Sequence, residues 1–137
     1  MLSRCMHRFD AVPHSLPALR QLIADQSRRH GWDDRCLDMT IAIGEVVQNI
    51  IRHGFSDGSK TDNYFWIDVE YRAPHLVWTI ADNAPPSQPQ NWPRQTAFSD
   101  GGYGLGLVSA VAAHVDFMPV EGGNMARLWF ARNRNDA

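Results

Sequence analysis

The chain has 137 residues, of which 44% are hydrophobic and 20% charged, a composition typical of a soluble globular protein of one domain. Its formal net charge of −2 provides no overall attraction to nucleic acid or to an anionic membrane, so we expect direct binding to neither. No apolar run is long enough to span a bilayer, and the first ten residues lack a signal peptide's apolar centre, which favours a cytoplasmic location. Cys5 and Cys36 lack metal-like spacing and are expected to be free thiols.

The first part of the sequence predicts a short strand followed by two helices. Residues 6–10 read MHRFD and suit the strand. Ser15 is placed to cap a helix with an apolar face, and Gly31 is placed to end it. Asp33 or Asp34 begins the second helix. The buried face of this second helix is expected to consist of Leu37, Ile41, Gly44, Val47 or Gln48, and Ile51.

The middle of the sequence predicts two strands and then a long loop. Residues 64–72 and 75–82 are rich in aromatic and β-branched residues and are joined by a turn at residues 73–74. From Asn83 to about Asp100 the chain is polar and proline-rich, with neither a helical nor a strand period. A loop of this length within a compact domain is usually a functional lid or is disordered.

The last part predicts a helix and a closing hairpin. A glycine-rich turn leads into the helix, and residues 115–120 and 125–132 form the hairpin. The resulting order is β-α-α-β-β-loop-α-β-β, which lacks the βαβ repeat of a parallel sheet. It predicts a two-layer α/β (α+β) sandwich, with one helical layer on a mixed, mostly antiparallel sheet. No internal repeat or linker divides the chain, so residues 1–137 are expected to form a single domain.

Two features are expected to serve structure alone. The helix junction at residues 27–35 mixes charges of both signs and is expected to be solvated. Trp66, Trp78 and Trp129 lie in predicted strands, where packing in the core or on a sheet face is the ordinary role of tryptophan.

The glycine-rich sequence GGYGLGL at residues 101–107 is the clearest local motif. Gly102, Gly104 and Gly106 open a helix, and the bare amides at such a helix start bind phosphate. A flexible turn that ends the preceding loop is the alternative, because short glycine motifs also arise by chance. A Rossmann fingerprint fits poorly, since Leu107 occupies its third position, and a P-loop is excluded because no Gly-Lys-Ser/Thr follows.

Asp82 ends the apolar strand that reads HLVWTIAD. A carboxylate at the end of a sheet strand can accept a hydrogen bond from an exocyclic amine, such as that of adenine. The alternative is an aspartate that simply initiates a turn before Asn83.

Glu45, Asn49 and His53 are spaced by four residues and therefore share one stripe of the second helix. The carboxamide oxygen of Asn49 suits Mg²⁺. The carboxylate of Glu45 can take a proton from an attacking hydroxyl or orient a water. His53 is placed to cap carbonyl groups at the helix end. A solvated polar stripe without catalytic function is the alternative.

In their order and spacing, the motifs resemble the GHKL ATP-binding superfamily, the Bergerat fold shared by gyrase, histidine kinases and mismatch-repair ATPases. Within it, the chain resembles the anti-sigma-factor serine/threonine kinases of bacterial partner-switching systems. The resemblance covers nearly the whole chain, and the ordered set carries it rather than any single motif. The matching segments are GEVVQNIIRHG at 44–54, IADNAPP at 80–86, GGYGLGL at 101–107, HVDF at 114–117 and EGGNMARLWF at 121–130.

The resemblance implies roles for particular residues. Glu45 corresponds to the family's catalytic base, Asn49 to its Mg²⁺ ligand and Asp82 to the carboxylate that binds adenine. Residues 83–103 correspond to the lid over ATP. The remaining nucleotide-binding positions are Ala84, Gly102, Tyr103, Gly104, Leu105, Gly106 and Asn124.

The implied function is that of an ATP- and Mg²⁺-dependent serine/threonine protein kinase and anti-sigma factor. It would phosphorylate an antagonist (anti-anti-sigma) protein and sequester a sigma factor or similar client, and a homodimer is expected. The chain departs from the family pattern in two ways. The family has a glycine two residues after its aspartate, often with another following, whereas Asp82 is followed by Asn83, Ala84, Pro85 and Pro86, and Asn124 replaces a threonine. These departures favour the alternative of a nucleotide-poor module that regulates by sequestration only. A third alternative is an ATPase without a protein acceptor.

Overall fold

The computed structural model describes residues 6–54, 63–85 and 104–133. The described strands are β1 (His7–Asp10), β2 (Tyr64–Arg72), β3 (His75–Asp82), β4 (His114–Val120) and β5 (Gly123–Phe130). The described α-helices are α1 (Leu16–His30), α2 (Cys36–Asn49) and α3 (Gly104–Val111). Short 3₁₀ turns at Pro13–Ser15 and Asp33–Arg35 precede α1 and α2, and a π turn at Ile50–Gly54 follows α2.

The strands form one sheet in the order β1-β2-β3-β5-β4, and each described pairing is antiparallel. The predicted fold class is therefore confirmed: an α+β fold with helices on an antiparallel sheet. The expectation of a mixed sheet is not met in the described part of the chain. The predicted bounds of β2 and β3 are those observed, because their apolar pattern and the turn between them are unambiguous.

Helices cover one face of the sheet, and the core lies between the two layers. Alternate residues of each strand point to this face, as the two-residue period of a strand requires. Trp78 is fully buried there, as predicted, and its indole N–H donates to the Met39 sulfur of α2 at 3.2 Å. The strand residues of this core are Phe65, Ile67, Leu76, Trp78, Ile80, Ala126, Leu128 and Phe130.

The ends of α1 match the predicted positions but only partly the predicted chemistry. Gly31 ends the helix in the left-handed conformation, with φ of 73°, and its N–H donates to Arg28 O at 3.1 Å. Ser15 does stand at the N-cap, yet its side chain makes no capping hydrogen bond. The reason is that Ser15 closes a preceding 3₁₀ turn and has helical rather than extended backbone.

The predicted buried face of α2 was wrong at most positions, although Ile51, in the turn after the helix, is partly buried against the core as expected. Leu37 is 70% exposed, whereas Val47 is buried as one of the two options predicted. The helix carries two apolar stripes, one toward the sheet and α3 and one toward α1, and the pattern alone did not rank them. Ile41, Gly44 and Gln48 line a groove against α1 instead of the core. The side chains that α2 buries in the core are Met39, Ala42, Ile43, Val46 and Val47.

The helix junction contains a buried ion pair where a solvated segment was expected. Arg35 Nη1 lies 2.6 Å from Asp38 Oδ2, with both side chains less than a tenth exposed. Arg35 Nη2 donates to the carbonyl of Val111 at 3.0 Å. Arg35 therefore joins the start of α2 to the end of α3, where a positive charge also complements the helix dipole. Arg28 and Arg29 are exposed, as predicted.

None of the helices described here combines the length and the apolar character needed to cross a membrane. Cys36 is a half-buried free thiol, and Cys5 lies outside the described residues.

Candidate functional site

Asp82 lies at the end of β3, where its carboxylate is almost fully buried, with 6% of the residue exposed. Its Oδ1 accepts two hydrogen bonds, from the Ala84 N–H at 2.9 Å and from Asn124 Nδ2 at 3.0 Å. Its Oδ2 accepts none from the residues that the structure describes. Oδ1 therefore holds the turn at Ala84 and the side chain of Asn124, and Oδ2 remains able to accept a hydrogen bond from a ligand.

Burial raises the pKa of the Asp82 carboxyl, because removal from water disfavours the charged form. The hydrogen bonds from Asn124 and Ala84 oppose this rise without cancelling it. A further donor at Oδ2 would stabilise the carboxylate and lower the pKa again. A hydrogen-bond donor of a ligand at Oδ2 would thus offset part of the cost of burying this carboxylate.

The turn after Asp82 accommodates its lack of glycine. The bond from the Ala84 N–H to Asp82 closes a turn of the kind that aspartate initiates, so the alternative reading of this residue describes part of its role. Asn83 closes the end of the sheet, since its Oδ1 accepts from the Tyr64 N–H at 3.0 Å. Ala84 is buried in the core, and no described residue other than glycine has a positive φ. The turn therefore forms without backbone strain.

Asn124 pairs with Asp82 across β3 and β5 and holds the start of the following loop. Its Nδ2 donates to Asp82 Oδ1, and it also approaches Pro85 O at 3.2 Å and Ala84 O at 3.4 Å. Among the predicted site residues, Asp82, Ala84 and Asn124 are thus in direct contact.

Gly123 is a residue whose part in this site the sequence analysis missed. A Cβ added to Gly123 would overlap the carbonyl oxygen of Asp82 and lie 2.8 Å from its carbonyl carbon. Glycine is therefore needed for β5 to approach the end of β3. The available signal was the doubled glycine of EGGN, because the turn itself uses only Gly122 at positive φ, 79°.

Asn49 is the last residue of α2 and is only 1% exposed. Its Nδ2 has no hydrogen-bond partner among the residues that the structure describes. A buried amide without a partner is costly, which points to a ligand or a bound water. Because the oxygen and nitrogen of an amide are interchanged by a simple rotation, either atom can face that ligand. The oxygen is a donor type that Mg²⁺ takes, so this side chain fits the metal that the resemblance implies.

Glu45 lies one turn before Asn49 and is half-buried. It lines a groove of about 210 Å³ between α1 and α2, together with Arg20 and Gln48 above an apolar floor that includes Leu19. Its carboxylate makes no hydrogen bond with the described part of the chain. The structure therefore places Glu45 beside a groove open to solvent and does not link it to Asp82.

The remaining predicted positions lie around the start of α3. Gly104 is the first residue of this helix and Gly106 lies in its first turn, with Leu105 between them. A Cβ added to Gly106 would meet no described atom within 4 Å, so internal packing does not require glycine there. Gly102, Tyr103 and most of the predicted lid lie outside the described residues.

α3 packs on α2, and Val108 shares its core with Val47 and Ala84. His53 belongs to the π turn after α2, and its side chain is not among those described.

A family model described as the histidine kinase-like ATPase domain matches residues 9–130. A search of curated protein sequences gives no significant match. Among solved structures, the chain is similar to the RsbU and RsbW domains of Rv1364c from Mycobacterium tuberculosis, with a TM-score of 0.65 and 18% identity. This similarity covers 95% of the present chain but only 32% of that one, so the chain spans about a third of its length.

Two histidine kinases show similar folds. The histidine kinase domain of the Erythrobacter litoralis EL346 blue-light activated histidine kinase gives a TM-score of 0.57 at 13% identity, over 86% of this chain and 59% of that one. The Acinetobacter baumannii histidine kinase AdeS gives 0.51 at 15% identity, over 96% and 70%. At these identities the likeness establishes the fold alone.

Proposed function

Because the chain belongs to the histidine kinase-like ATPase domain family, we propose that it is an ATP-dependent serine/threonine protein kinase of the anti-sigma type. In this proposal it transfers the γ-phosphate of Mg-ATP to an antagonist protein and sequesters a sigma factor or similar client. The observation that carries the proposal is the buried carboxamide of Asn49, one helical turn after Glu45, whose Nδ2 has no partner among the described residues. The likeness to a structure that contains an RsbW domain agrees with it.

In the proposed complex, the open Oδ2 of Asp82 accepts a hydrogen bond from the exocyclic amine of adenine. The carboxamide of Asn49 holds Mg²⁺, which when bound neutralises charge on the phosphate oxygens. The amides around Gly102, Gly104 and Gly106 cradle the phosphates, and residues 83–103 cover the nucleotide as a lid within a single domain.

In the proposed transfer step, one proton moves, one bond forms and one bond breaks. Glu45 accepts the proton of the serine or threonine hydroxyl, whose oxygen bonds to the γ-phosphorus as the bond to the leaving ADP oxygen breaks. The groove between α1 and α2 is the route by which this hydroxyl reaches Glu45, since Glu45 lines it. Arg20, in the same groove, provides a positive charge for an acidic side chain or backbone carbonyl of the acceptor.

The first experiment is calorimetric titration with Mg-ATP of the wild-type protein and of Asp82→Asn. We expect the wild type to bind and the variant to bind at least about tenfold more weakly, the value of one hydrogen bond to a charged group. Asp25→Asn, which alters an exposed carboxylate on α1, is the matched control and should bind like the wild type. A wild-type protein that binds no ATP would leave only the module that acts by sequestration.

The second experiment follows labelled γ-phosphate from ATP to antagonist proteins of the same organism. Glu45→Gln should slow the labelling by roughly 10²–10⁴-fold while ATP affinity is kept, because only the proton acceptor is lost. A tight complex without Glu45-dependent labelling would favour sequestration alone, and phosphate release without any acceptor would favour a plain ATPase. Light scattering of the purified protein tests the homodimer that the family resemblance implies.

A further inference from the structure

We propose that Asn124 makes the base site selective for adenine over guanine by occupying one oxygen of the Asp82 carboxylate. This inference rests on the proposed function in one respect, namely that a purine nucleotide binds at Asp82. It goes further in naming the residue that determines which purine is accepted.

The orientation of the Asn124 amide follows from its surroundings. Nδ2 lies within hydrogen-bond distance of three oxygens: Asp82 Oδ1 at 3.0 Å, Pro85 O at 3.2 Å and Ala84 O at 3.4 Å. All three are acceptors, so the end of the amide that faces them must be the donating nitrogen. An amide turned the other way would place its own oxygen against three oxygens.

The consequence is that, among the residues that the structure describes, only Oδ2 of the Asp82 carboxylate is left without a hydrogen bond. The Ala84 N–H and Asn124 Nδ2 both donate to Oδ1, which uses the two lone pairs of that oxygen. The bond from Ala84 belongs to the turn that follows the strand. The bond from Asn124 is the one that a side-chain substitution can remove.

The position of Asn124 is fixed by the backbone around it. Asn124 lies opposite Asp82 in the register of β3 and β5, and Gly123 allows the two strands to approach closely at this point. The backbone of Asn124 therefore cannot move away from Asp82 without separating strands that share the core, and from this backbone the amide reaches Oδ1 at 3.0 Å.

Adenine and guanine make different demands on a carboxylate. Adenine offers one exocyclic amine next to an acceptor nitrogen, and this amine is satisfied by Oδ2 alone. Guanine offers two adjacent donors, its ring N1–H and its exocyclic amine, which together match both oxygens of a free carboxylate. With Oδ1 occupied, one guanine donor would be left without a partner in a site where Asp82 is only 6% exposed. Such an unpaired buried donor is penalised more strongly than a missing contact.

The test compares the affinities of the β,γ-imido analogues of ATP and GTP, with Mg²⁺, for the wild type, Asn124→Ala and Asn124→Leu. Both variants remove the donor, and leucine keeps the bulk of the side chain in case alanine destabilises the sheet. We expect the preference of the wild type for the ATP analogue to fall by roughly tenfold or more in both variants, since a lone pair of Oδ1 becomes available. Met125→Ala, at the neighbouring position on the opposite sheet face, is the control and should keep the wild-type preference.

The outcomes separate this inference from the proposed function. A wild type that binds neither analogue contradicts the proposed function and removes the basis of the inference. A wild type that binds both analogues equally, or a preference unchanged in folded Asn124→Leu, overturns the role of Asn124 while ATP binding stands. A preference that falls in the variants and persists in Met125→Ala supports it.

Discussion

The two ends of α2 bury polar groups under opposite conditions. At the N-terminal end, Arg35 pairs with Asp38 and donates to Val111, leaving its Nε as its one nitrogen without a partner in the described part of the chain. At the C-terminal end, Asn49 is buried as deeply, yet its Nδ2 has no partner among the described residues. Within the described part of the chain, the helix thus has a polar group with most of its hydrogen bonds made at one end and a polar group without a partner for its nitrogen at the other.

This difference distinguishes buried polar groups that have a structural role from those that have a functional role. A buried polar group matched by the protein holds elements together, and its removal should cost stability. A buried polar group that the protein leaves unmatched already costs stability, so its removal should cost function instead. Asp82 combines the two conditions, since one oxygen is matched and the other is open.

The largest effect is expected at the N-terminal end of α2, where Arg35 and Asp38 form a buried ion pair. Arg35→Met leaves Asp38 buried without its cation and should lower the free energy of unfolding by about 3–5 kcal/mol. Denaturation by urea, followed by circular dichroism, measures the change. The double variant Arg35→Met/Asp38→Leu is the control, because replacing the whole pair with apolar side chains should recover most of the loss. If Arg35→Met alone were as stable as the wild type, the buried ion pair would have no structural role at this end of α2.

The next effect is expected where β5 approaches Asp82. Gly123→Ala places a methyl group against the backbone of Asp82, which must move, and should lower the free energy of unfolding by about 1–3 kcal/mol. Gly106→Ala is the matched glycine, because a methyl group there meets no described atom within 4 Å. It should leave unfolding unchanged, or stabilise α3 slightly, while weakening binding of Mg-ATP. Equal losses of stability in the two variants would contradict this distinction.

At the C-terminal end of α2, a substitution of Asn49 should raise the free energy of unfolding rather than lower it. Asn49→Leu removes an amide whose Nδ2 has no partner in the described part of the chain and keeps its size, so the free energy of unfolding without nucleotide should rise by about 1 kcal/mol. Binding of Mg-ATP should be lost at the same time, because the proposed metal ligand is gone. Urea denaturation and calorimetry on the same preparation measure the two changes. A variant less stable than the wild type would show that Asn49 has a structural role.

Local patterns predicted the elements of this fold well, and distant partners explain the failures. The strand period and the turn at residues 73–74 gave β2 and β3 their observed bounds, and Gly31 marked the end of α1. Arg35 was expected in solvent because its neighbours are charged, but its backbone acceptor, Val111, lies 76 residues away in the sequence.

For the candidate site too, the sequence predicted the local features, whereas contacts between distant residues became known only from the structure. The sequence singled out Asp82 and Asn49 as chemical groups. The structure adds that, among the described residues, only one oxygen of Asp82 has a hydrogen-bond partner and Nδ2 of Asn49 has none. The roles of these residues in binding nucleotide remain predictions. The contact of Gly123 with the end of β3 is a tertiary fact that only a doubled glycine hinted at.

The smallest effect concerns pH, because two hydrogen bonds oppose the desolvation of Asp82. Its pKa in the folded protein is raised above the ordinary 3.8, so the folded state holds a proton that the unfolded state has released. Stability contributed by this group should therefore be complete below pH 3.8 and fall as the pH rises through the folded pKa. Asp82→Asn lacks the titration, and the melting temperature of the wild type relative to this variant should decline across that window.

Asp25→Asn is the control for this measurement, since its exposed carboxylate leaves the decline in place. Nucleotide sharpens the test, because an amine that donates to Oδ2 favours the charged carboxylate. With Mg-ATP bound, the decline should shift to lower pH or disappear. A relative melting temperature that rises with pH in the free protein would mean that the hydrogen bonds to Oδ1, rather than burial, determine the pKa of Asp82. Burial of Oδ2 would then carry no free-energy cost for a ligand to relieve.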